Sequence, residues 1–244
     1  MVNNVRQLPG IDPTWVKTYD VERNGKTETF SVLESSPPQP RGIIVCVHGN
    51  PTWSYMWRNM VKLLGNEWRV IAIDQLGMGF SSRSSGARTL AMRIDDLDAL
   101  LTVANVNTPV TLMAHDWGGP VSLGWATKHP ERVEQLVLFN TGTTIPTTGV
   151  PGLIRVSNTP FLRNVICSYT RAFVVGAVLP TGDIARDIRT AYYAPYKTAS
   201  RRRAIAEFVA DIPTSTSHVS ASTLNEMAER ACDLKVPTLL MWGT

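Results

Sequence analysis

The sequence AHDWGG (Ala114–Gly119) joins two segments of different character. An apolar run, Val110 to Met113, comes before it, and a segment with helical composition, Pro120 to Lys128, follows it. The two glycines allow a helix to begin close to the preceding strand, because glycine has no Cβ that could clash with the strand. The stretch therefore predicts a strand, a sharp turn with Asp116 at its apex, and a helix packed tightly on a sheet.

Strand and helix signals alternate around this stretch through the first 140 residues. The Asn24-Gly25 pair, between two strand-like runs, predicts a β-hairpin. The βαβ alternation that follows favours an α/β fold, a mostly parallel sheet with helices on both faces. The predicted strands are Trp15–Asp20, Thr27–Leu33, Gly42–Val47, Trp68–Ile73, Val110–Ala114 and Val133–Phe139, and the predicted helices are Tyr55–Leu64 and Arg88–Ala104.

After Asn140 the strand signals disappear and helical segments follow one another. We predict a helical cap over residues 141–233, inserted between a core of residues 1–140 and a return to the core over residues 234–244. Such a cap would lie over the carboxyl ends of the strands, where ligands bind in open α/β sheets. Its predicted helices are Pro160–Ala177, Asp183–Tyr192, Ser200–Ile212 and Ser222–Cys232, and the returning strand is Val236–Trp242.

The composition excludes several classes of protein. The chain has 244 residues, of which 43% are hydrophobic and 18% charged, as expected for one globular domain with a sizeable core. It lacks both an apolar run long enough to cross a bilayer and a signal-like N-terminus, which predicts a cytoplasmic protein. Three cysteines without metal-like spacing predict reduced thiols, and neither a metal nor a cofactor is expected. The basic run Arg201-Arg202-Arg203 is interpreted as a solvated helix face, not as a nucleic-acid site.

The residue at the apex of the turn points to a type of chemistry. A strand, a tight glycine-rich turn and a helix form the nucleophile elbow of the α/β-hydrolase fold, where the usual pattern has serine and this chain has Asp116. A serine that attacked a saturated carbon would form an ether, which water cannot readily open. A carboxylate that attacks the same carbon forms an ester, which water can hydrolyse. Aspartate therefore indicates attack on a carbon that bears a leaving group.

Two motifs together carry a resemblance to a known family. The sequence HGNPTWSYMWR (His48–Arg58), with AHDWGG, resembles the haloalkane dehalogenase branch of the α/β-hydrolases. The supporting segments IDQLGMGFS and KHPERV are common among relatives with an aspartate nucleophile. Within the predicted cap, the chain also resembles the β-lactone decarboxylases of bacterial olefin biosynthesis. The segments concerned are GLIR (Gly152–Arg155), APY (Ala194–Tyr196) and RRRAIAEFVADIP (Arg201–Pro213).

The resemblance implies roles for three residues. Asp116 would be the nucleophile that displaces the leaving group in line and forms an ester with the substrate. Asn50 and Trp117 would hold the leaving halide through their side-chain N–H groups, and their backbone N–H groups would form the oxyanion hole. The expected partners are a small apolar electrophile, either a haloalkane or a β-lactone, and a halide ion. In some bacteria the decarboxylase is fused to a C-terminal adenylating domain, which is therefore a further predicted partner.

The catalytic acid and base of the family have no counterpart at matching positions. An acid would follow the strand Val133–Phe139, where this chain has Asn140, or the strand that ends at Trp242. The base histidine would come later still. The resemblance therefore implies that the sequence is an N-terminal fragment that lacks acid, base, last strand and last helix. The histidines that are present are interpreted as structural: His48, His115, His129 and His218.

Several functions stay open at this point. The first is a hydrolase that converts a haloalkane and water into an alcohol and a halide. The alternative is the β-lactone decarboxylase. An epoxide hydrolase is less favoured, because that group usually has an aromatic residue at the position of Asn50. A catalytically inactive binding protein, or a simple turn-capping role for Asp116, would account for the same sequence without chemistry.

Overall fold

The computed structural model describes residues 2–23, 25–83, 86–145, 159–178 and 184–243. Seven strands form one sheet in the order β1-β2-β4-β3-β5-β6-β7. Strands β3 to β7 are parallel to one another, and β2 is antiparallel to both β1 and β4. The strands are β1 (Val16–Arg23), β2 (Lys26–Ser35), β3 (Ile43–Val47), β4 (Arg69–Ile73), β5 (Val110–His115), β6 (Val133–Phe139) and β7 (Thr238–Met241).

Nine α-helices and several shorter turns surround this sheet in the described part of the chain. The α-helices are α1 (Val2–Val5), α2 (Arg58–Leu64), α3 (Leu90–Val103), α4 (Gly118–Lys128), α5 (Pro160–Arg163), α6 (Ala172–Val178), α7 (Arg186–Tyr193), α8 (Ala199–Ala210) and α9 (Ala221–Ala231). A π-helical segment spans Asn164–Tyr169, and 3-10 turns span Pro13–Trp15, Ser54–Trp57, Pro130–Arg132 and Ala194–Tyr196.

The predicted hairpin and parallel sheet are confirmed. Strands β1 and β2 pair in antiparallel register from Val16 opposite Leu33 to Arg23 opposite Lys26. Strand β3 lies between β4 and β5 and is buried along its whole length, as its unbroken run of apolar residues requires for a central strand covered on both faces.

Two hydrophobic clusters cover the two faces of the sheet. Side chains alternate along each strand, so Val45 and Val47 face one cluster while Ile44 and Cys46 face the other. The first cluster contains the apolar stripe of α3 together with α4 and α9. The second contains the tryptophans of the loop after β3 and the apolar residues of α6 and α8. Part of the helical region between β6 and β7 therefore packs directly on the core.

One predicted helix, Pro160–Ala177, is wrong as a single element. The structure divides it into α5, the π-helical segment and α6. The break lies at Thr170, whose backbone is extended, and its hydroxyl accepts a hydrogen bond from the N–H of Ala172 at 3.2 Å. Threonine thus caps the next helix instead of continuing the previous one. The segment Gly152–Arg155 lies outside the described residues.

The interpretation of Arg201-Arg202-Arg203 as a solvated face is also wrong. Arg202 is 6% exposed and donates to the carbonyls of Ser168, Tyr169 and Tyr196. The carbonyls at the end of a helical segment lack partners within that segment, and the guanidinium satisfies them. Only the Arg203 side chain, 74% exposed, matches the prediction.

The last strand of the sheet exposes its apolar side chains, and other single residues also have defined environments. The large apolar side chains of β7, at one edge of the sheet, are exposed, for example Leu240 at 59%. Cys46 is buried in the core, and none of the three cysteines is in a disulfide. Tyr169, in the π-helical segment, is 71% exposed. No helix in the described ranges has the length and apolar character needed to cross a membrane.

Candidate active site

Asp116 stands at the apex of the predicted strand–turn–helix element. Its backbone has a φ of +53°, in the left-handed region that non-glycine residues rarely adopt. Two hydrogen bonds to its carbonyl hold this conformation, from the N–H of Gly119 at 3.0 Å and from the hydroxyl of Thr141 at 2.6 Å. Backbone strain of this kind persists where the surroundings determine it, and it is frequent at functional sites.

Close approach of the backbone around Asp116 depends on small residues. A Cβ added at Gly118 would overlap the carbonyl oxygens of Val47 and His48 on the neighbouring strand. A Cβ added at Gly49 would overlap the carboxylate of Asp116 itself. Gly49 is therefore the residue that leaves room for the carboxylate, a role that the sequence analysis did not assign.

Backbone N–H groups converge on the carboxylate of Asp116. The N–H of Asn50 donates to Oδ1 at 2.7 Å. Burial of Asp116 raises the pKa of its carboxyl group, and hydrogen bonds from the backbone N–H groups of Trp117 and Asn50 oppose that shift, as does the nearby His115. The structure thus brings together the three residues that the sequence singled out, with an anion-stabilising pair of N–H groups at the carboxylate.

The side chains of Asn50 and Trp117 differ in their hydrogen bonds. The indole Nε1 of Trp117 is buried and has no hydrogen-bond partner among the described residues. The amide Nδ2 of Asn50 donates to the carbonyl of Ile205 in α8 at 3.3 Å, while its Oδ1 is buried without a partner in the described part of the chain. A buried donor without a partner costs free energy, so the indole of Trp117 is a candidate donor to a bound group.

The helical region is tied to the loop that carries Asn50. Tyr196, 1% exposed, donates its hydroxyl to the carbonyl of Thr52 at 3.2 Å and accepts from the N–H of Gly79 at 3.3 Å. The guanidinium of Arg83 donates to the carbonyl of Gly79 at 2.8 Å. These contacts fix two loops at the carboxyl ends of β3 and β4 against the 3-10 turn Ala194–Tyr196.

A second buried carboxylate, Asp74, organises the same two loops. It accepts hydrogen bonds from the N–H groups of Ser54 and Phe80, both at 2.8 Å. Burial raises the pKa of Asp74 to about 6, against the opposing effect of these hydrogen bonds. Asp74 joins the loop after β4 to the loop after β3, and its contacts are with backbone groups, as expected for a structural residue.

Three of the four histidines are bound to groups other than Asp116, as the sequence analysis predicted. His48 Nδ1 contacts the carbonyl of Gly49 at 2.7 Å, Nε2 accepts from the N–H of Gln75 at 3.0 Å, and burial lowers the pKa of this histidine to about 4. His129 stacks near Trp125 and contacts Asp98. His218 bridges the carbonyl of Ala210 and the N–H of Ser220.

The remaining candidate positions have other environments. His115 precedes Asp116, and its Nδ1 is buried without a partner in the ranges that the structure describes. Asn140, where the family has one of its possible acids, has a positive φ of 38° and accepts a hydrogen bond from the N–H of Gly243 at 3.0 Å. Within the described ranges, no group of three or more His, Cys, Asp or Glu side chains could hold a metal ion.

Comparison with known proteins agrees with this geometry. Residues 42–157 match the sequence model of a family described as having the alpha/beta hydrolase fold. A cis-3-alkyl-4-alkyloxetan-2-one decarboxylase of Shewanella oneidensis is 36% identical over 238 residues, covering 93% of this chain and 73% of the relative. Haloalkane dehalogenase 2 of Mycobacterium bovis is 32% identical over 218 residues, covering 82% of this chain and 70% of the relative.

A solved structure supports the fold independently. A haloalkane dehalogenase of Agrobacterium tumefaciens C58 superposes with a TM-score of 0.75 at 25% identity, covering 92% of this chain and 78% of that chain. The chain belongs to the α/β-hydrolase fold family. Within that family, its relatives are haloalkane dehalogenases and cis-3-alkyl-4-alkyloxetan-2-one decarboxylases, which confirms the resemblance read from the sequence and supports an enzyme.

Proposed function

We propose that the protein is an enzyme in which the carboxylate of Asp116 attacks an electrophilic saturated carbon and forms an ester intermediate. The observation that supports this most directly is the position of Asp116, at the apex of the strained turn with backbone N–H groups directed at its carboxylate. A turn-capping aspartate would bond within its own turn. The carboxylate of Asp116 bonds not only to Trp117 in its own turn but also to Asn50, 66 residues away in the chain.

The two backbone N–H groups fit the role of an oxyanion hole. When the carboxylate has become an ester, attack by water places negative charge on the former carboxylate oxygen. N–H donors that already point at that oxygen stabilise the charge without reorganisation, and one lost donor of this kind costs about 3 kcal/mol. Asn50 and Trp117 would supply these donors from the ends of two neighbouring strands, β3 and β5.

The unpartnered indole of Trp117 fits the role of a leaving-group donor. A group that leaves carbon as an anion needs a donor in a site from which water is excluded. Trp117 Nε1 is buried and free of partners among the described residues. Asn50 Nδ2 has two N–H bonds, of which the contact to Ile205 uses one, so the second N–H can assist the same anion.

For a haloalkane, the reaction would proceed in two steps. Asp116 forms a bond to carbon as the carbon–halogen bond breaks, and the electron pair of that bond leaves with the halide. Water then adds to the carbonyl carbon of the ester, the alcohol leaves, and Asp116 is regenerated as a carboxylate. This second step needs a base that takes a proton from water.

A β-lactone is the second candidate substrate. A cis-3-alkyl-4-alkyloxetan-2-one decarboxylase is 36% identical to this chain over nearly its whole length. In the step we propose, Asp116 attacks the ring carbon that bears the ring oxygen, and the broken C–O bond leaves its electrons on a new carboxylate. That carboxylate departs as CO2, the alkene forms, and the bond from carbon to Asp116 breaks with its electrons returning to aspartate.

The lactone route differs from the haloalkane route in one requirement. It consumes no water and therefore needs no base, because the one bond between Asp116 and carbon forms on ring opening and breaks again when the alkene forms. An epoxide substrate is less favoured because Asn50, not an aromatic residue, follows Gly49.

The helical region would act as the cap. We propose that residues 141–233 form this cap, that residues 1–140 and 234–244 form the core, and that the cap closes over the carboxyl ends of β3 and β5. The contacts of Tyr196 with Thr52 and of Asn50 with Ile205 support this assignment. A small apolar substrate would lie between cap and core. A cytoplasmic location and a fused adenylating domain stay predictions.

A product assay with two substrates would test the proposal. The chain is incubated with a 1-bromoalkane and, separately, with a cis-3,4-dialkyl-oxetan-2-one, while bromide and alkene are measured. Release of alkene with repeated turnover supports the lactone route, and release of bromide limited to one equivalent per chain supports attack by Asp116 without hydrolysis. Asp116→Ala should abolish both, whereas Asp95→Ala, an exposed aspartate on α3, should abolish neither. Absence of both products with the unmodified chain would contradict the proposal.

A further inference from the structure

Positive charge is concentrated in one part of the helical region. Residues 159–212 contain eight of the 24 Lys and Arg residues of the chain and four of its 20 Asp and Glu residues. Their net charge of +4 equals that of the entire chain, so the rest of the protein is neutral as a whole. Within this count, Arg202 and Asp211 are buried and offset each other. The excess of positive charge among the other residues favours an anionic partner.

Large apolar side chains are exposed within the same region. Phe161 is 74% exposed, Tyr169 is 71% exposed and Leu162 is 39% exposed. They lie at the two ends of one continuous segment, α5 followed by the π-helical segment Asn164–Tyr169. Single exposed apolar residues are ordinary on protein surfaces, but two large aromatic rings on one short segment, on either side of Arg163, are characteristic of a membrane-interface site.

A cavity lies beside this segment and is separate from Asp116. Its volume is about 450 Å³, and it is lined by the π-helical segment and by α8. Arg163 and Arg203 contribute cationic groups to its wall, Tyr169 contributes a ring, and Ser200 contributes a hydroxyl. Alanines, Ala199, Ala206 and Ala210 among them, form the apolar part of the lining.

The anion-binding groups of the cavity are only partly neutralised within the protein. Arg203 pairs with Glu207 at 3.0 Å and is 74% exposed. Glu207 is the single acidic residue in the lining, against the two arginines. A group with one negative charge would therefore balance the cavity.

We propose that the face formed by α5, the π-helical segment and the exposed side of α8 is a docking surface for an anionic lipid bilayer. A lipid phosphate would lie between Arg163 and Arg203, and the rings of Phe161 and Tyr169 would enter the interfacial layer. Aromatic rings are favoured at that depth, and arginines beside them attract anionic headgroups. The apolar residues of α8, including Phe208 and Val209, are buried against the core, so this surface docks as a preformed patch and not as an inserting helix.

Docking of this kind would bring the protein to where apolar electrophiles accumulate. The inference stands on charge, exposure and a cavity outside the active site, so it does not require the reaction proposed for Asp116. The variant Asp116→Ala should dock as well as the unmodified chain. Failure of catalysis and failure of docking can thus be told apart.

Vesicle co-sedimentation tests the docking surface. Vesicles of phosphatidylcholine alone are compared with vesicles of phosphatidylcholine and phosphatidylglycerol, at low and at high salt. We expect binding to the anionic vesicles at low salt and release at high salt. Arg163→Glu combined with Arg203→Glu should weaken binding by about tenfold or more, since each basic residue near an anionic surface contributes about 1 kcal/mol.

Two further double variants distinguish the contribution of the aromatic rings to binding from that of charge, and both from an effect of unfolding. Phe161→Ser combined with Tyr169→Ser should weaken binding to the anionic vesicles at low salt, without a change in circular dichroism. Lys26→Glu combined with Lys62→Glu makes the same change of charge outside the region and should leave binding within about twofold, because these exposed lysines lie outside residues 159–212. Equal binding of all variants, equal binding to both vesicle types, or binding to inorganic phosphate or to nucleic acid in place of vesicles would overturn the proposal.

Discussion

The backbone N–H of Asn50 donates to Oδ1 of Asp116 at 2.7 Å, and this contact joins the ends of strands β3 and β5. Burial of the carboxyl group raises its pKa. The backbone N–H donors of Asn50 and Trp117 oppose this shift, because hydrogen bonds to a carboxylate favour its charged form. Gly49, immediately before Asn50, makes the contact possible because it has no side chain.

Replacement of Gly49 by alanine should remove activity without unfolding the protein. The added methyl group would overlap the carboxylate of Asp116 and displace it from the N–H of Asn50. We expect formation of the ester intermediate to slow by at least about 100-fold, as when an oxyanion-hole donor is lost. Gly142→Ala is the matched control, because a Cβ there meets no atom within 4 Å. Equal activity of the two variants would show that the carboxylate does not need this position.

Replacement of Thr141 by valine should loosen the turn at Asp116. The Thr141 hydroxyl donates to the carbonyl of Asp116 at 2.6 Å and helps to hold the positive φ. Its loss should destabilise the fold by about 1 to 2 kcal/mol, measured by urea unfolding. Thr141→Ser keeps the hydroxyl and should retain most of the stability. If valine and serine behave alike, the hydrogen bond has no part in holding the turn.

Replacement of Tyr196 by phenylalanine should weaken the attachment of the helical region to the core. The hydroxyl group bridges the carbonyl of Thr52 and the N–H of Gly79 in a fully buried place. Removing it leaves two backbone groups without partners, at a cost of about 1 to 3 kcal/mol in the free energy of unfolding. Tyr193→Phe, at a half-buried position nearby, should cost less than about 0.5 kcal/mol. A cost of the same size for Tyr193→Phe would rule out a specific role for the Tyr196 hydroxyl.

Asp211 should make the stability of the protein depend on pH. Burial raises its pKa from 3.8 to about 6, although the Ser220 hydroxyl, Arg93 and His218 oppose that shift. A carboxyl whose folded pKa is raised binds its proton more tightly in the folded state. Its contribution to stability is therefore complete below about pH 4 and is lost as the pH rises through about 6.

The variant Asp211→Asn isolates this contribution. The difference in unfolding free energy between the unmodified chain and the variant should fall by up to about 3 kcal/mol between pH 4 and pH 7, since one pKa unit corresponds to about 1.4 kcal/mol. Urea unfolding at a series of pH values measures it. A difference that stays constant, or that grows with pH, would contradict the assignment. Burial also raises the pKa of Asp74 to about 6. Its contribution to the pH dependence is the same in both proteins, so it cancels in the difference between them.

The sequence predicted the parts of the fold that depend on local patterns. The hairpin around Asn24-Gly25, the buried strand Ile43–Val47 and the turn at Asp116 each follow from residues that are adjacent in the chain. Spacing of apolar residues in α3 likewise placed its buried face. For these elements, local propensity and tertiary packing favour the same conformation, so a single sequence was sufficient.

Contacts between distant residues could not be predicted in the same way. Arg202 was interpreted as exposed because the basic run gives no sign that the carbonyls of Ser168 and Tyr169 need donors. The roles of the Tyr196 hydroxyl and of Gly49 depend on contacts between loops that are distant in the sequence, so they were found only in the structure. The candidate site was predicted as far as its motif residues, and the groups that support them were found in the structure.

Mass spectrometry of the intact chain after exposure to a 1-bromoalkane tests the central claim most directly. We predict a covalent adduct of one alkyl group, located by peptide fragmentation on Asp116 and absent from Asp116→Ala. The adduct should form faster as the pH rises above the raised pKa of this carboxyl group, because only the carboxylate attacks. An adduct on another residue, or bromide release that is equally fast in Asp116→Ala, would contradict the account.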